Sequence, residues 1–518
     1  MDINNAGNPR SKSALANALP SEIITHIFYI ILVNAHRCLV SRMPGAPTDV
    51  TYPKLHPIDT LAHICSYWRQ VALTSPLLWT HIDIALNHEL SPTLVERAGL
   101  YANRAGQVPL NIHIADAGFE RDQGPFRLVL ADKMVPISVL NSSSPDYLRP
   151  LEFAFLDSHR ATVPIRSLEI DIIVFGHFHQ RQGDAIGYFL SRCQPGIFNQ
   201  YIARITCVGS YDICSVLQPE DISYEGHTDR THTINLPNQY FEALWLPVRT
   251  LRTNGLCPHW SSQAYHGLSE LQIQGKTPRL IASQLMGILR ASPGLRVLCL
   301  DAVVYRDSEE IEPIPLNDLE RLSVATANWL AIEHEVLSTD DILDMLSPGL
   351  KPLRFSGYRG SMESYRKFAC RTNIAHLYIE GNSSISLLHS INAGGYLQTL
   401  VFNALLLEND LARLIFGEDN FQEAELVCET STATPQIETV YLISSLNLPF
   451  EGLLRFIKRY SIKRLVMCGG VLSYWGTKGV CVSDTKELIK AKLSTITTCE
   501  VQYYGFKDPM PIDLGDWK

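Results

Sequence analysis

Ser292-Pro293-Gly294-Leu295-Arg296-Val297-Leu298-Cys299-Leu300 and Ser347-Pro348-Gly349-Leu350-Lys351-Pro352-Leu353-Arg354-Phe355 decide how this chain is read. Each opens with a Ser-Pro-Gly break that cannot continue a helix. Each then presents apolar residues offset by three and by two positions. The fourth and sixth residues of that frame share one face of a strand, because successive side chains alternate. The first apolar residue caps the same core as the chain turns in. Ahead of the breaks, Ala282, Leu285, Met286 and Leu289, and then Ile342, Leu343, Met345 and Leu346, recur with the period of a helix.

Outward from these two copies, the frame recurs at Ile165-Leu168-Ile170, Ile202-Ile205-Cys207, Leu268-Leu271-Ile273, Leu319-Leu322-Val324, Ile374-Leu377-Ile379, Leu397-Leu400-Phe402, Ile437-Val440-Leu442 and Ile462-Leu465-Met467. Val248-Leu251-Thr253 is a weaker copy. From 248 onward the starts differ by 20, 27, 24, 31, 24, 23, 40 and 25 residues. One strand plus one helix cannot bury its apolar face, but stacked neighbours can. The predicted fold class is therefore α/β, a curved ribbon of parallel strands inside and helices outside. The frame resembles the leucine-rich-repeat family in an irregular form, over residues 87–518 and best from 248–470. The asparagine that usually closes such a repeat stands only at Asn382; Lys276, Val303, Tyr358, Leu405 and Gly470 hold its place elsewhere.

Residues 1–18 are polar and predicted to be a disordered tail. Ile23, Ile27, Ile30 and Ile31 then recur at helical spacing, giving a predicted buried helix. Pro44, Pro47, Pro53 and Pro57 interrupt any helix over 34–57. A second helix is predicted from Asp59 or Thr60 through Leu61, Ile64, Cys65, Trp68 and Ala72, ended by Ser75-Pro76. Ile82, Ile84 and Leu86 follow with the alternation of a half-buried strand. Leu19-Pro20-x-Glu22-Ile23-Ile24-x-x-Ile27-Phe28, Leu61-x-x-Ile64-Cys65-x-x-Trp68-Arg69-x-x-Ala72 and Pro76-Leu77-Leu78-Trp79 together resemble the F-box, with 34–57 as an insertion in a module over 19–86. The resemblance implies docking on a Skp-type adaptor, and through it a cullin, within a ubiquitin ligase. It places Leu19, Pro20, Ile23 and Ile24 at the adaptor surface and makes Trp68 and Trp79 packing residues.

The 53 acids and 44 bases leave a net charge of -9 with no concentrated basic face, so a nucleic-acid partner is not expected. The longest early apolar run is too short for a membrane span, and no membrane partner is expected. Twelve scattered cysteines, none in a Cys-x-x-Cys pair, predict reduced thiols in an intracellular protein, cytoplasmic or nuclear. Phosphate loops, nucleophile elbows and zinc-protease helices are missing from the sequence. His177 and His179 suggest no third ligand nearby, so no metal, cofactor or catalytic residue is expected. Glu309-Glu310 and Asp340-Asp341 read as helix starts or solvated loops, and Glu408 to Glu429 as a solvated excursion.

The function this implies is substrate recognition for a ubiquitin ligase, with the repeats binding a target protein. The alternative is a repeat scaffold without ligase attachment. The fifth frame residue points away from the core, so the target-binding candidates are Arg252, Gln272, Arg354, Tyr378 and Tyr441.

Overall fold

The computed structural model describes residues 19–34, 39–40, 57–86, 91–116, 127–130, 133–136, 156, 163–175, 180–208, 215–221, 231–275, 279–307, 312–325, 336–358, 360–380, 396–403, 436–443, 448–468, 472–475, 481–483, 498–504 and 510–512. The tail 1–18, most of the 34–57 insertion, His177, His179, Glu309-Glu310, Asn382 and the 408–429 stretch lie outside the described residues. The chain is α/β, dominated by parallel strands. Among the described residues, no helix is long and apolar enough to cross a membrane. The chain divides into two compact units, Met1–Val248 with Thr253–Ala264, and Arg249–Arg252 with Tyr265–Lys518.

The first unit opens with helix α1 (Ser21–Asn34), whose first turn carries Glu22 at the positive helix end. Helix α2 (Pro57–Ala62) and helix α3 (Ser66–Thr74) follow. The single helix expected over this region is thus two. Cys65 adopts extended backbone and its Sγ accepts the Trp68 amide, starting α3 as a cap. Ser75-Pro76 ends the helix as expected. Trp79 is buried, and its indole N–H donates to Ala72 O at 2.8 Å. Phe28 meets Trp68 edge-on at 5.1 Å. The expectation that Ile23, Ile27, Ile30 and Ile31 face a core is overturned: all four are exposed, and Ile24 and Phe28 are the buried pair. Periodicity finds a stripe but not the side on which it lies.

Strands β1 (His81–Leu86), β2 (Leu110–Asp116), β3 (Ile165–Phe175) and β4 (Gln200–Val208) then lie side by side, parallel and in chain order. Helix α4 (Ser91–Ala105) links the first two and helix α5 (Gln180–Arg192) the last two. Their core row is Ile82, Ile112, Leu168 and Tyr201. The frame read at Ile202 starts four residues late, since Leu168 stands opposite Tyr201 and Ile205 stands opposite Ile172. Tyr201 instead packs against Trp245 of helix α6 (Asn238–Trp245), with ring centroids 5.2 Å apart.

The opposite side of these strands is charged. His113 Nδ1 lies 2.8 Å from Asp83 Oδ1 and its Nε2 lies 3.2 Å from Asp171 Oδ2. Arg204 pairs with Glu169 and Asp171. Burial alone lowers the His113 pKa, but hydrogen bonds to Asp171 and Asp83 and the nearby carboxylate charges outweigh it and lift the value to about 9. Asp83, expected on the solvent side of a half-buried strand, is only 3% exposed.

Strand β5 (Thr250–Asn254) straddles the division between the units. In the second unit, β6 (Glu270–Gln274), β7 (Val297–Asp301), β8 (Arg321–Ala325), β9 (Leu353–Tyr358), β10 (Ile374–Glu380), β11 (Tyr396–Asn403), β12 (Gln436–Ile443), β13 (Arg464–Cys468) and β14 (Glu500–Tyr504) are parallel, each beside the next in sequence. Register aligns Leu271, Leu298, Leu322, Phe355, Leu377, Leu400, Val440, Leu465 and Val501 into one buried row. Each such side chain contributes about 1.5–3 kcal/mol by leaving water. Helix α7 (Ala282–Arg290) buries Leu285, Met286 and Leu289. Helix α8 (Thr339–Met345) buries Ile342, Leu343 and Met345, while Leu346 already belongs to a short strand. Helices α9 (Met362–Cys370) and α10 (Phe450–Arg459) occupy two of the later connections.

The frame at 350–355 needs correction. Phe355, not Leu353, occupies the fourth position, and Leu350 is 86% exposed rather than a cap. A register shift between Leu353 and Arg354 seats Leu353 opposite Ile374, where it serves as the cap. The sixth position falls on Gly357, and the buried Tyr365 ring fills the space that its missing side chain leaves.

Candidate functional site

In the second unit, the residues that alternate with the core row form two outward rows. The row at the third frame position reads Glu270, Val297, Arg321, Arg354, His376, Thr399, Thr439, Arg464 and Glu500. The row at the fifth reads Gln272, Cys299, Ser323, Ser356, Tyr378, Val401, Tyr441, Val466 and Gln502.

The early part of this face is polar and concave. A cleft of about 570 Å³ is lined by Arg252, Arg321, Lys351, Arg354 and His376 together with Glu270, Glu320, Val297 and Pro352. Glu270 Oε1 accepts hydrogen bonds from Arg252 Nε and Gln272 Nε2, both at 2.7 Å, and Arg321 Nη2 stands 3.6 Å away. Glu320 takes both arms of Arg296, at 3.0 and 2.7 Å. Lys351 pairs with Asp318 at 2.8 Å. Four cations against two carboxylates leave the cleft positive in a chain whose net charge is -9. Burial and then the Arg354 charge lower the His376 pKa, so its imidazole is neutral at neutral pH.

In the later part of the face the third-position row stays polar, with Thr399, Thr439, Arg464 and Glu500, while the fifth-position row is largely apolar. Tyr378, Val401, Ile443, Val466 and Cys468 form a buried cluster, and Tyr441, Tyr504 and Ile512 pack against it.

The five residues expected to bind a target are therefore divided. Arg252 and Arg354 line the cleft. Gln272 is 8% exposed and braces Glu270. Tyr378 and Tyr441 belong to the apolar cluster, and Tyr378 is only 2% exposed. Glu270, Arg321, Lys351 and His376 were missed. The alternation of a strand sends third and fifth frame residues to the same side, so Glu270, Arg321 and His376 were there to be found.

The first unit carries a separate candidate surface. Leu19, Ile23, Ile27, Ile30 and Ile31 are all between 37% and 49% exposed on or beside α1. Pro20 is exposed next to them, whereas Ile24 is 1% exposed and packs inward. Tyr67 Oη donates to Leu19 O at 2.9 Å and Thr25 Oγ1 meets Ser75 Oγ at 3.0 Å, so this stripe is held by the helices behind it. No protein-family model matches the chain, and no curated protein matches it significantly.

Proposed function

We propose that the chain is a non-catalytic receptor of a Skp–cullin–F-box-type ubiquitin ligase. Leu19, Pro20, Ile23 and Ile27 form the adaptor surface, and a curved leucine-rich-repeat-like solenoid binds the target protein. The observation that carries the first half is the exposed isoleucine stripe of α1, since a helix rarely leaves so much apolar area in water without a partner. Ile24 is withdrawn from the adaptor surface, because its side chain is already spent on the helical core. The positive cleft supports a target that presents an acidic segment. The mechanism is proximity. Holding a target beside a charged ubiquitin carrier raises effective concentration with no reacting group on this chain.

Affinity capture of the intact chain tests the reading. Wild type should recover a Skp-type adaptor and a cullin. Ile23→Asp, on an exposed side chain, should abolish that recovery without unfolding the protein. Adaptor recovery unchanged by Ile23→Asp and Ile27→Asp together overturns it. A wild-type chain that recovers a target but no adaptor favours the repeat scaffold instead.

A further inference from the structure

The alternation of β1 puts His81 and Asp83 on one side of the strand, and register places His113 of β2 directly opposite Asp83. Three donors thus converge from adjacent parallel strands: His81 Nε2, a carboxylate oxygen of Asp83 and one imidazole nitrogen of His113, all within 4.8 Å of one another. His81 Nε2 is 3.3 Å from Asp83 Oδ1 and His113 Nδ1 is 2.8 Å from the same oxygen. Ligands at roughly 2.0–2.2 Å from a tetrahedral zinc stand about 3.3 Å apart, close to the two spacings from Asp83, and the two imidazole nitrogens, within 4.8 Å of each other, would draw together around the ion.

We propose that His81, Asp83 and His113 form a zinc-class divalent metal site in the first unit, built from two imidazoles and one carboxylate.

Two further observations point the same way. Asp83 Oδ2 is buried and accepts no hydrogen bond among the described residues, with Arg97 Nη2 4.0 Å away. A buried carboxylate oxygen in that condition is costly unless a cation takes it up. His113 also carries the support that metal-bound imidazoles usually have. Its remote Nε2 meets Asp171 Oδ2 at 3.2 Å, and Arg204 holds Asp171 from the far side at 3.1 Å. A carboxylate behind the ring fixes its orientation and raises its basicity as a ligand. Asp171 is accordingly a positioning residue. His81 is 34% exposed and gives the ion a way in, leaving a fourth position for water. The ion replaces the proton between His113 Nδ1 and Asp83, and that proton leaves to solvent.

The test uses the purified full chain, stripped with a chelator and titrated first with zinc sulfate and then with cobalt(II) chloride. The expected result is one equivalent bound with micromolar or tighter affinity and a rise in the thermal midpoint. Cobalt should give a visible spectrum with no thiolate charge-transfer band. His81→Ala, at a partly exposed side chain, should weaken binding at least tenfold while circular dichroism stays unchanged. Asp171→Asn should weaken it about 10–100-fold. Three results overturn the site: no zinc-dependent shift, zinc bound equally by His81→Ala, or a thiolate band that assigns the metal to cysteines. If Asp171→Asn unfolds the chain, His81→Ala alone decides.

Discussion

Phe355 stands opposite Leu322 across β8 and β9, and both side chains are buried. This pairing continues the core row through a repeat where the leucine frame slips. Phe355→Ala should cost about 3–5 kcal/mol in urea denaturation, the usual cost of emptying an aromatic core position. Leu350→Ser should change stability by less than about 0.5 kcal/mol, since Leu350 lies in water. The opposite ranking would restore the frame read from sequence.

The two Ser-Pro-Gly copies should respond differently to the same change. A Cβ at Gly349 would lie 2.5 Å from Asn317 O and 2.9 Å from its Cα, which is backbone that cannot rotate away. Gly349→Ala should therefore cost about 1–3 kcal/mol by overpacking. Gly294 has nothing within 4 Å of that position. Gly294→Ala should leave the thermal midpoint nearly unchanged or slightly raised.

Ser338 caps α8. Its Oγ accepts the Asp341 amide at 3.2 Å, and the Asp341 carboxylate takes the Ser338 amide at 2.9 Å. Ser338→Ala should cost about 1 kcal/mol. Burial raises the Asp341 pKa, but hydrogen bonds from Ser338 and the Arg306 cation overcome that and hold it below the ordinary carboxylate value. A carboxyl with a depressed folded pKa stabilises the fold above its unfolded pKa, and the benefit is lost as pH falls through the folded value. Asp341→Asn should therefore be less stable than wild type at neutral pH. The gap between the two should narrow below about pH 4, as pH drops past the ordinary aspartate value. A gap independent of pH would remove the charge from the explanation.

Charge reversal tests the cleft. Arg354→Glu with Lys351→Glu should weaken binding of a polyglutamate peptide at least tenfold, and wild-type binding should fall as salt rises. Stability should change by no more than about 1 kcal/mol from lost surface pairs such as Lys351–Asp318. Salt-insensitive binding, or binding unaffected by the reversal, would show that the excess of cations is not what recognises the peptide.

The array was legible in sequence because its signal is periodic. Leu271, Leu298, Leu322, Leu377 and Leu400 were placed in one row by spacing alone, and that row is buried. The frame failed where the backbone departs from regular pairing, at the Leu353/Arg354 shift, and where large residues stand in for leucine, as Tyr201 does. Strand β14 went unread because Glu500-Val501-Gln502-Tyr503 carries only one aliphatic residue. The outward surface was less legible. Tyr378 and Tyr441 have the phase of surface residues, but whether that surface is covered depends on distant chain such as Ile512. His81, Asp83 and His113 are separated by up to 32 residues in sequence, and only strand register brings them together.

The chain enters the second unit at Arg249, leaves it at Thr253 and returns at Tyr265. No single cut in the gene can therefore release either unit whole. A fragment starting at Tyr265 forfeits Arg252 and with it the 2.7 Å contact that anchors Glu270. One starting at Arg249 drags along twelve residues, 253–264, whose packing partners are gone. Dissection by truncation will report instability at this seam before it reports on recognition, and point substitutions are the better scalpel.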